Sequence, residues 1–551
     1  MIRHAPAAAF TSLLPAAAFA ILVSVCAAAA VPEGRSPVVD EIRAEACRSN
    51  RSAEGRPLPL AAHWNRGSAP AGFGPAWQLE MIEKGSHLLP WFAFPNLGST
   101  MDAGMPGKWT AREYYEAPMK RCSALGLPIS LVGTQWESVL LADERFRSHP
   151  PQTSARVLSA EGKLIKRLSP VGPVEQWREA GRLWTSSPAM KQLQEWYPEP
   201  PLVLMVSNHE APLGKFDDEK RWTDAHGTGR DAAYCEAHSG GGWAARYKAL
   251  LDGMREGLSS PAWRRAARFI AYKVSPAPSH FGRWPQWTQY AAYRPGRMNW
   301  ETSVWDGGSP SYYLHDWMPI TDYTVWSPQV ESMNWTAFME AEALRYNPEF
   351  WFEFSAWDGH TGAPGKKSKR DQYAERGQAL TPERYGGTVQ FGLWLVRPRA
   401  VREFRGYLET REAQEPYFRP IAEAVDRVYA VPILREFWRR GALVANRARE
   451  HPYQAAVPDE YKNVHRWFLL DTDADPPRPW TLETPLAVFA LAHVLGDAPA
   501  RRWLLYVHAP AGERRGVTVT LPEFGAVRID APVAGAFYLA AESGRTVARV
   551  P

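Results

Sequence analysis

Two glutamates offer the plainest chemistry in this 551-residue sequence. Glu210 follows an apolar run, Pro201–Val206, in Ser207-Asn208-His209-Glu210. Glu353 sits inside another, Trp351-Phe352-Glu353-Phe354, which continues as Ser355-Ala356-Trp357. A carboxylate in or just after an apolar strand is costly unless it faces a solvated mouth or a partner. Two carboxyl groups facing each other across a cleft can cleave a glycosidic bond. One protonates the leaving oxygen, and the other attacks the anomeric carbon or activates water.

The elements that must position this pair alternate between strand and helix. Strand-like runs are read at Leu58–His63, His87–Phe94, Pro128–Val132, Pro201–Val206, Arg268–Val274, Asp322–Val330, Glu349–Phe354 and Thr388–Leu395. Helical spacing is read at Trp109–Leu125, Trp243–Gly257, Pro261–Ala267, Trp335–Tyr346 and Val401–Leu408. Buried parallel strands read as near-continuous apolar runs, and eight of them alternating with helices predict a (β/α)8 TIM barrel. Glu210 then follows strand four and Glu353 lies on strand seven, across the mouth from one another, where barrel enzymes carry their chemistry. No glycine-rich phosphate loop follows any strand, which argues against a doubly wound nucleotide-binding sheet.

After about His451 the texture changes to short runs, Arg502–Val507, Val517–Leu521, Val527–Ile529, Ala536–Leu539 and Thr546–Val550, separated by Pro, Gly and Asp. These predict a C-terminal β-sandwich that packs on the barrel. Residues 1–30 have the basic start, apolar run and Ala-rich end of a secretory signal. The expected organisation is therefore a signal peptide (1–30), a catalytic barrel (31–450) and a β-sandwich (451–551). The expected location is secreted or periplasmic, with no stable membrane insertion after cleavage. Cys47, Cys122 and Cys235 then allow one disulfide, whose pairing the sequence leaves open.

Composition narrows the classes. The chain is 45% hydrophobic and 22% charged with a net charge of +5, and no basic block is interleaved with aromatics. It is therefore globular and does not read as a nucleic-acid binder. His209-Glu210 lacks the second histidine of a His-Glu-x-x-His zinc motif, so neither a metal nor a cofactor is expected. The 25 Trp and 21 Tyr imply either a large aromatic core or flat faces for sugar rings.

The two strand-end glutamates make the segment from Leu58 to Leu408 resemble the clan A glycoside hydrolases. That resemblance implies a retaining mechanism on a poly- or oligosaccharide, more often β-linked, with Glu210 as acid/base and Glu353 as nucleophile. It departs from the clan's pattern in one place: His209, not an asparagine, precedes Glu210, with Asn208 one residue earlier. The resemblance also marks Trp394 as a sugar platform within strand eight. Substrate contacts are expected from strand-end residues: His63, Asn65, Arg66, Asn96, Gln135, Trp136, Asn208, His209, Trp284, Trp287, Trp326, Glu331 and Trp357. Alternatives stand beside these. Glu210 can start a helix, Glu353 can pair with a barrel arginine, and Glu331 can replace Glu353 in an inverting pair. A barrel that binds glycans without cutting them is the rival outside enzymes.

Overall fold

A computed structural model describes residues 36–64, 74–105, 109–150, 153–159, 161–208, 213–214, 241–272, 300–309, 311–313, 340, 343–344, 347–357, 381–404, 411–444, 488–510 and 512–551. Eight parallel strands form the first sheet: β1 (Leu60–Trp64), β2 (Trp91–Ala93), β3 (Ile129–Thr134), β4 (Val203–Ser207), β5 (Ala267–Tyr272), β6 (Gly307–Ser309), β7 (Trp351–Trp357) and β8 (Ala400–Phe404). Each pairs with its neighbour in chain order, and β8 returns to β1. A short stretch, Ser311–Tyr313, prolongs β6 and also runs parallel to β7.

The ring closes between β1 and β2 through one parallel bridge, Ala61 to Leu88. Beyond that bridge the side chain of Gln78, on α2 (Pro75–Glu83), stands in for a strand. Its amide accepts from the Trp91 N–H at 2.8 Å and donates to the Trp91 carbonyl at 2.9 Å. Backbone groups that a seam would leave unpaired are thereby satisfied.

The register identifies the barrel type. Val132 is level with Val206, Ile270, Gly307 and Trp351. Glu353, two residues along β7, is level with Ala400 and Leu60; one residue on, Ala61 is level with Leu88; five residues on, Ala93 is level with Val132 again. Two, one and five make a circuit of eight residues. Eight strands with a shear of eight tilt by about 36°, the geometry of a TIM barrel.

The C-terminal region forms a five-stranded antiparallel sheet from β9 (Ala442–Leu443), β10 (Phe489–Leu495), β11 (Arg502–His508), β14 (Ala536–Ala541) and β15 (Thr546–Val550). A two-stranded ribbon, β12 (Arg514–Leu521) and β13 (Gly525–Ala531), covers one face. Ala490, Leu505 and Val507 face the ribbon with Val519 and Ile529, while Phe489, Leu491, Tyr506 and Phe537 join the barrel's core. Both faces of the sheet are thus buried, and the fold is a TIM barrel followed by a sandwich-like region.

Two elements differ from expectation near the eighth strand. Thr388–Leu395 belongs to a helix, α6 (Pro382–Val396), and the eighth strand is Ala400–Phe404, which had read as helical. Thr381 caps α6 by accepting from the Arg384 N–H, and Pro382 fits its first turn. The helix is buried nearly all round, so its apolar run carries no period. The described sixth strand is Gly307–Ser309, not Asp322–Val330; residues 322–330 lie outside the described residues, as does most of Trp335–Tyr346. Its glycine is a packing requirement, since a Cβ at Gly307 would collide with Trp351 and Ile270.

Candidate active site

Glu353 is fully buried on β7, the third residue of that strand rather than its end. Its two carboxylate oxygens are held by one guanidinium. Arg402 Nε donates to Oε2 at 2.7 Å and Nη2 donates to Oε1 at 2.8 Å. The Trp351 indole N–H adds a third bond to Oε1 at 3.0 Å. Arg402 lies on β8 and is itself fully buried. Its remaining amine donates to the His63 carbonyl on β1 at 3.1 Å and to Ser130 Oγ on β3 at 3.3 Å. A side chain on β8 that reaches both β1 and β3 crosses the barrel interior, so Glu353, Arg402 and Ser130 share the inner face.

Removing two charges from water costs several kcal/mol per ion, roughly, and only good geometry with every donor satisfied repays it. The fork-to-carboxylate match is the strongest such geometry available. The arginine pairing that the sequence left open for Glu353 is therefore real. It does not exclude chemistry at Glu353, because the same pair fixes the carboxylate in one orientation.

The register links this pair to strand four. Glu353 follows Phe352, the partner of Gly308, and so lies level with Ser309. Ser309 pairs with Tyr272. Tyr272 follows Ala271, the partner of Ser207, and so lies level with Asn208. Side chains on one hydrogen-bonded row of a parallel sheet point to the same face. Because the strands tilt, a residue low on β7 shares its row with the residue that follows β4. Asn208 is buried, and its N–H donates to the Thr134 carbonyl at 2.8 Å. His209 and Glu210, the next two residues in sequence, lie outside the described residues, as do Asn65, Arg66, Trp284, Trp287, Trp326 and Glu331.

Other expected contacts are placed clearly. Asn96 is exposed just beyond β2 and lines a pocket of about 80 Å³ at the carboxyl ends of β2 and β3, floored by Phe94, Tyr115 and Val132. Two tyrosines of α3 (Ala111–Leu125) clamp the end of β2. Tyr114 Oη accepts from the Ala93 N–H, and Tyr115 Oη donates to the Ala93 carbonyl. Burial pushes both phenols well up, which keeps Tyr115 a donor. Gln135 is half-buried after β3, and Trp357 ends β7.

Three expected contacts are corrected. Trp136 is fully buried under Phe94, Phe269 and Trp305, with Trp305 stacked on it at 6.0 Å, so its ring belongs to the core. Trp394 is not on a strand. It lies on α6, fully buried among Trp438, His493 and Phe537, where it joins the barrel to the C-terminal sheet. His63 is buried against Trp91 and Phe418, with Nε2 3.6 Å from Glu403. Packing holds these three rings in the core. Arg402, which the sequence reading passed over, carries one late signal: a charged residue within an apolar strand needs a partner. Among the described residues no cluster of His, Cys, Asp and Glu is arranged to hold a metal ion, and no helix is long and apolar enough to cross a membrane.

No protein-family model matches the chain, and no curated protein matches it. Among solved structures, the apo structure of Bacteroides uniformis beta-glucuronidase 3 aligns at 9% identity and a TM-score of 0.30. The alignment covers 90% of this chain and 64% of that one. A likeness of that size does not set an activity.

Proposed function

We propose that the chain is a retaining glycoside hydrolase that acts outside the cytoplasm on a poly- or oligosaccharide, more often β-linked. The supporting observation is the inner-face row that joins Glu353 on β7 to Asn208, two residues before Glu210. In this reading Glu353 attacks the anomeric carbon while Glu210 protonates the leaving oxygen. Glu210 then activates the water that releases the sugar. Arg402 positions the nucleophile, its guanidinium holding both oxygens until a substrate competes for one. Asn96 contributes to the sugar site.

One observation favours a second reading, a barrel that binds glycans without cutting them: Glu353 is wholly covered and spends both oxygens on Arg402 and Trp351. The two readings separate in a hydrolysis screen of neutral, uronate and sulfated β-glycans, run beside Glu210→Gln and Glu353→Gln. Loss of about 10²–10⁴-fold in Glu210→Gln, and no measurable turnover in a folded Glu353→Gln, is the expected result. Near wild-type turnover in Glu353→Gln overturns the nucleophile, and a wild type that cleaves nothing leaves the binding barrel.

A further inference from the structure

We propose that the loop between β2 and α3 carries a sugar-binding subsite, with Trp109 as its stacking platform and the adjacent pocket taking a substituent of the stacked ring. The inference rests on the glycan reading above and adds Trp109, which that reading does not use, to Asn96, which it does. Two observations converge on it. Among the described residues, Trp109 and Val547 are the large apolar side chains left exposed, Trp109 at 44%. Every other tryptophan whose side chain is described is buried or half-buried. An exposed indole keeps a flat apolar face available for a ligand to cover. The second observation is the pocket of about 80 Å³, whose lining includes Ala103, Gly104, Met105 and Ala111, residues of the same loop.

The described parts of the loop are tied to one another by backbone bonds. The Met105 N–H donates to the Trp109 carbonyl at 2.9 Å, and Gly104 bridges to Thr110. The Ala111 N–H donates to the Ala103 carbonyl at 2.9 Å, and Arg112 N–H to the Met101 carbonyl at 2.8 Å. Thr110 then starts α3 with a capping box closed by Glu113. A backbone fixed in this way lowers the entropy cost of presenting the residue to a ligand. The Trp109 backbone is bonded to Met105 of the pocket lining, and an exposed indole on the same loop as a pocket with an exposed amide, Asn96, suits a ligand with an apolar face and hydroxyl edges. A sugar ring has both. The pocket is too small for a whole ring, because about 150 Å³ is needed for benzene, so it takes a substituent.

The test is affinity electrophoresis of the full chain in gels containing barley β-glucan, glucomannan, arabinoxylan, galactan or polygalacturonate, with hydrolysis of the same glycans measured separately. Wild type, Trp109→Ala, Asn96→Ala and Val547→Ala are compared, with thermal melting to establish folding. The expected result is retardation of the wild type by at least one glycan, with affinity about tenfold weaker in Trp109→Ala, weaker in Asn96→Ala and unchanged in Val547→Ala. Unchanged retardation in Trp109→Ala, or no retardation of the wild type in any gel, overturns the subsite. Failure of the hydrolase reading shows separately, as an absence of turnover that leaves retardation intact.

Discussion

Two buried polar regions of this molecule solve the same problem in opposite ways. Inside the barrel, Glu353 and Arg402 keep their groups apposed, with Trp351, Ser130 and the His63 carbonyl satisfying what the pair leaves over. Between α6 and the C-terminal sheet, His493 and His508 are buried against the rings of Trp394 and Phe489. Burial pushes the His508 imidazole down to about 3, with Arg384 adding to the effect. Burial, together with Arg397 and Arg56, pushes His493 well below its ordinary value. Thr388 Oγ1 lies 2.9 Å from His508 Nε2, a contact suited to a neutral ring. In the barrel interior a fork-shaped donor meets a carboxylate, whereas in the second region burial favours neutral imidazole rings. The first arrangement fixes the orientation of a carboxylate; the second packs two layers together.

Breaking the charged cluster gives the largest effect. Arg402→Met leaves Glu353 buried without its partner and should destabilise by about 3–5 kcal/mol in urea denaturation. The double variant Arg402→Met/Glu353→Met should recover part of that stability but no activity, since two apolar groups of similar volume replace the pair. A double variant as unstable as the single one would mean that the surrounding bonds, and not the pairing, hold the barrel interior.

Acid should act on the neutral region next. The His508 value in the folded chain lies below the roughly 6.5 of an unfolded histidine. The unfolded chain therefore takes up the proton first. The stabilisation is complete above about pH 6.5 and is lost as pH falls toward about 3. His508→Phe, which keeps a ring against Phe489, should flatten the fall of melting temperature over that window. An unchanged slope would assign the acid sensitivity elsewhere.

Smaller effects probe the frame around both regions. α4 (Val174–Thr185) and α5 (Gly241–Gly257) cross at Gly181 and Gly253, where a Cβ would strike the opposite helix's carbonyl at Leu250 or Arg178. Gly253→Ala should cost about 1–3 kcal/mol in the same denaturation assay. Trp109→Ala, at an exposed site, should change stability by no more than about 0.5 kcal/mol. A larger loss would make that ring structural.

Seven of the eight barrel strands rest on features a sequence can carry or narrowly hides. Leu202–Val206 is apolar on both faces, as buried parallel strands are, and Ile129–Val132 breaks that pattern only at Ser130. Ala400–Phe404 was hidden because Val401 and Phe404 mimic helical spacing while Arg402 and Glu403 look solvated; both are fully buried. Gly307–Ser309 was unreadable, since its residues are chosen by what Trp351 and Ile270 leave no room for. β10 was also missed; its apolar run is interrupted by His493. Of the two expected carboxylates, Glu353 is placed on the inner face of β7 and Glu210 lies outside the described residues. Strand-end position marked Trp136 and His63 for substrate and the resemblance marked Trp394, yet all three are buried in packing contacts, while Trp109 looked like an ordinary helix-start residue and stayed exposed.

The most direct test of the central claim is covalent trapping. The full chain would be incubated with 2,4-dinitrophenyl 2-deoxy-2-fluoro-β-glucoside, -galactoside, -mannoside and -xyloside, then digested and sequenced by mass spectrometry. A fluorosugar adduct on Glu353, absent from Glu353→Gln, is the predicted result. An adduct on another carboxylate, or hydrolysis of natural glycans by Glu353→Gln at the wild-type rate, would contradict it.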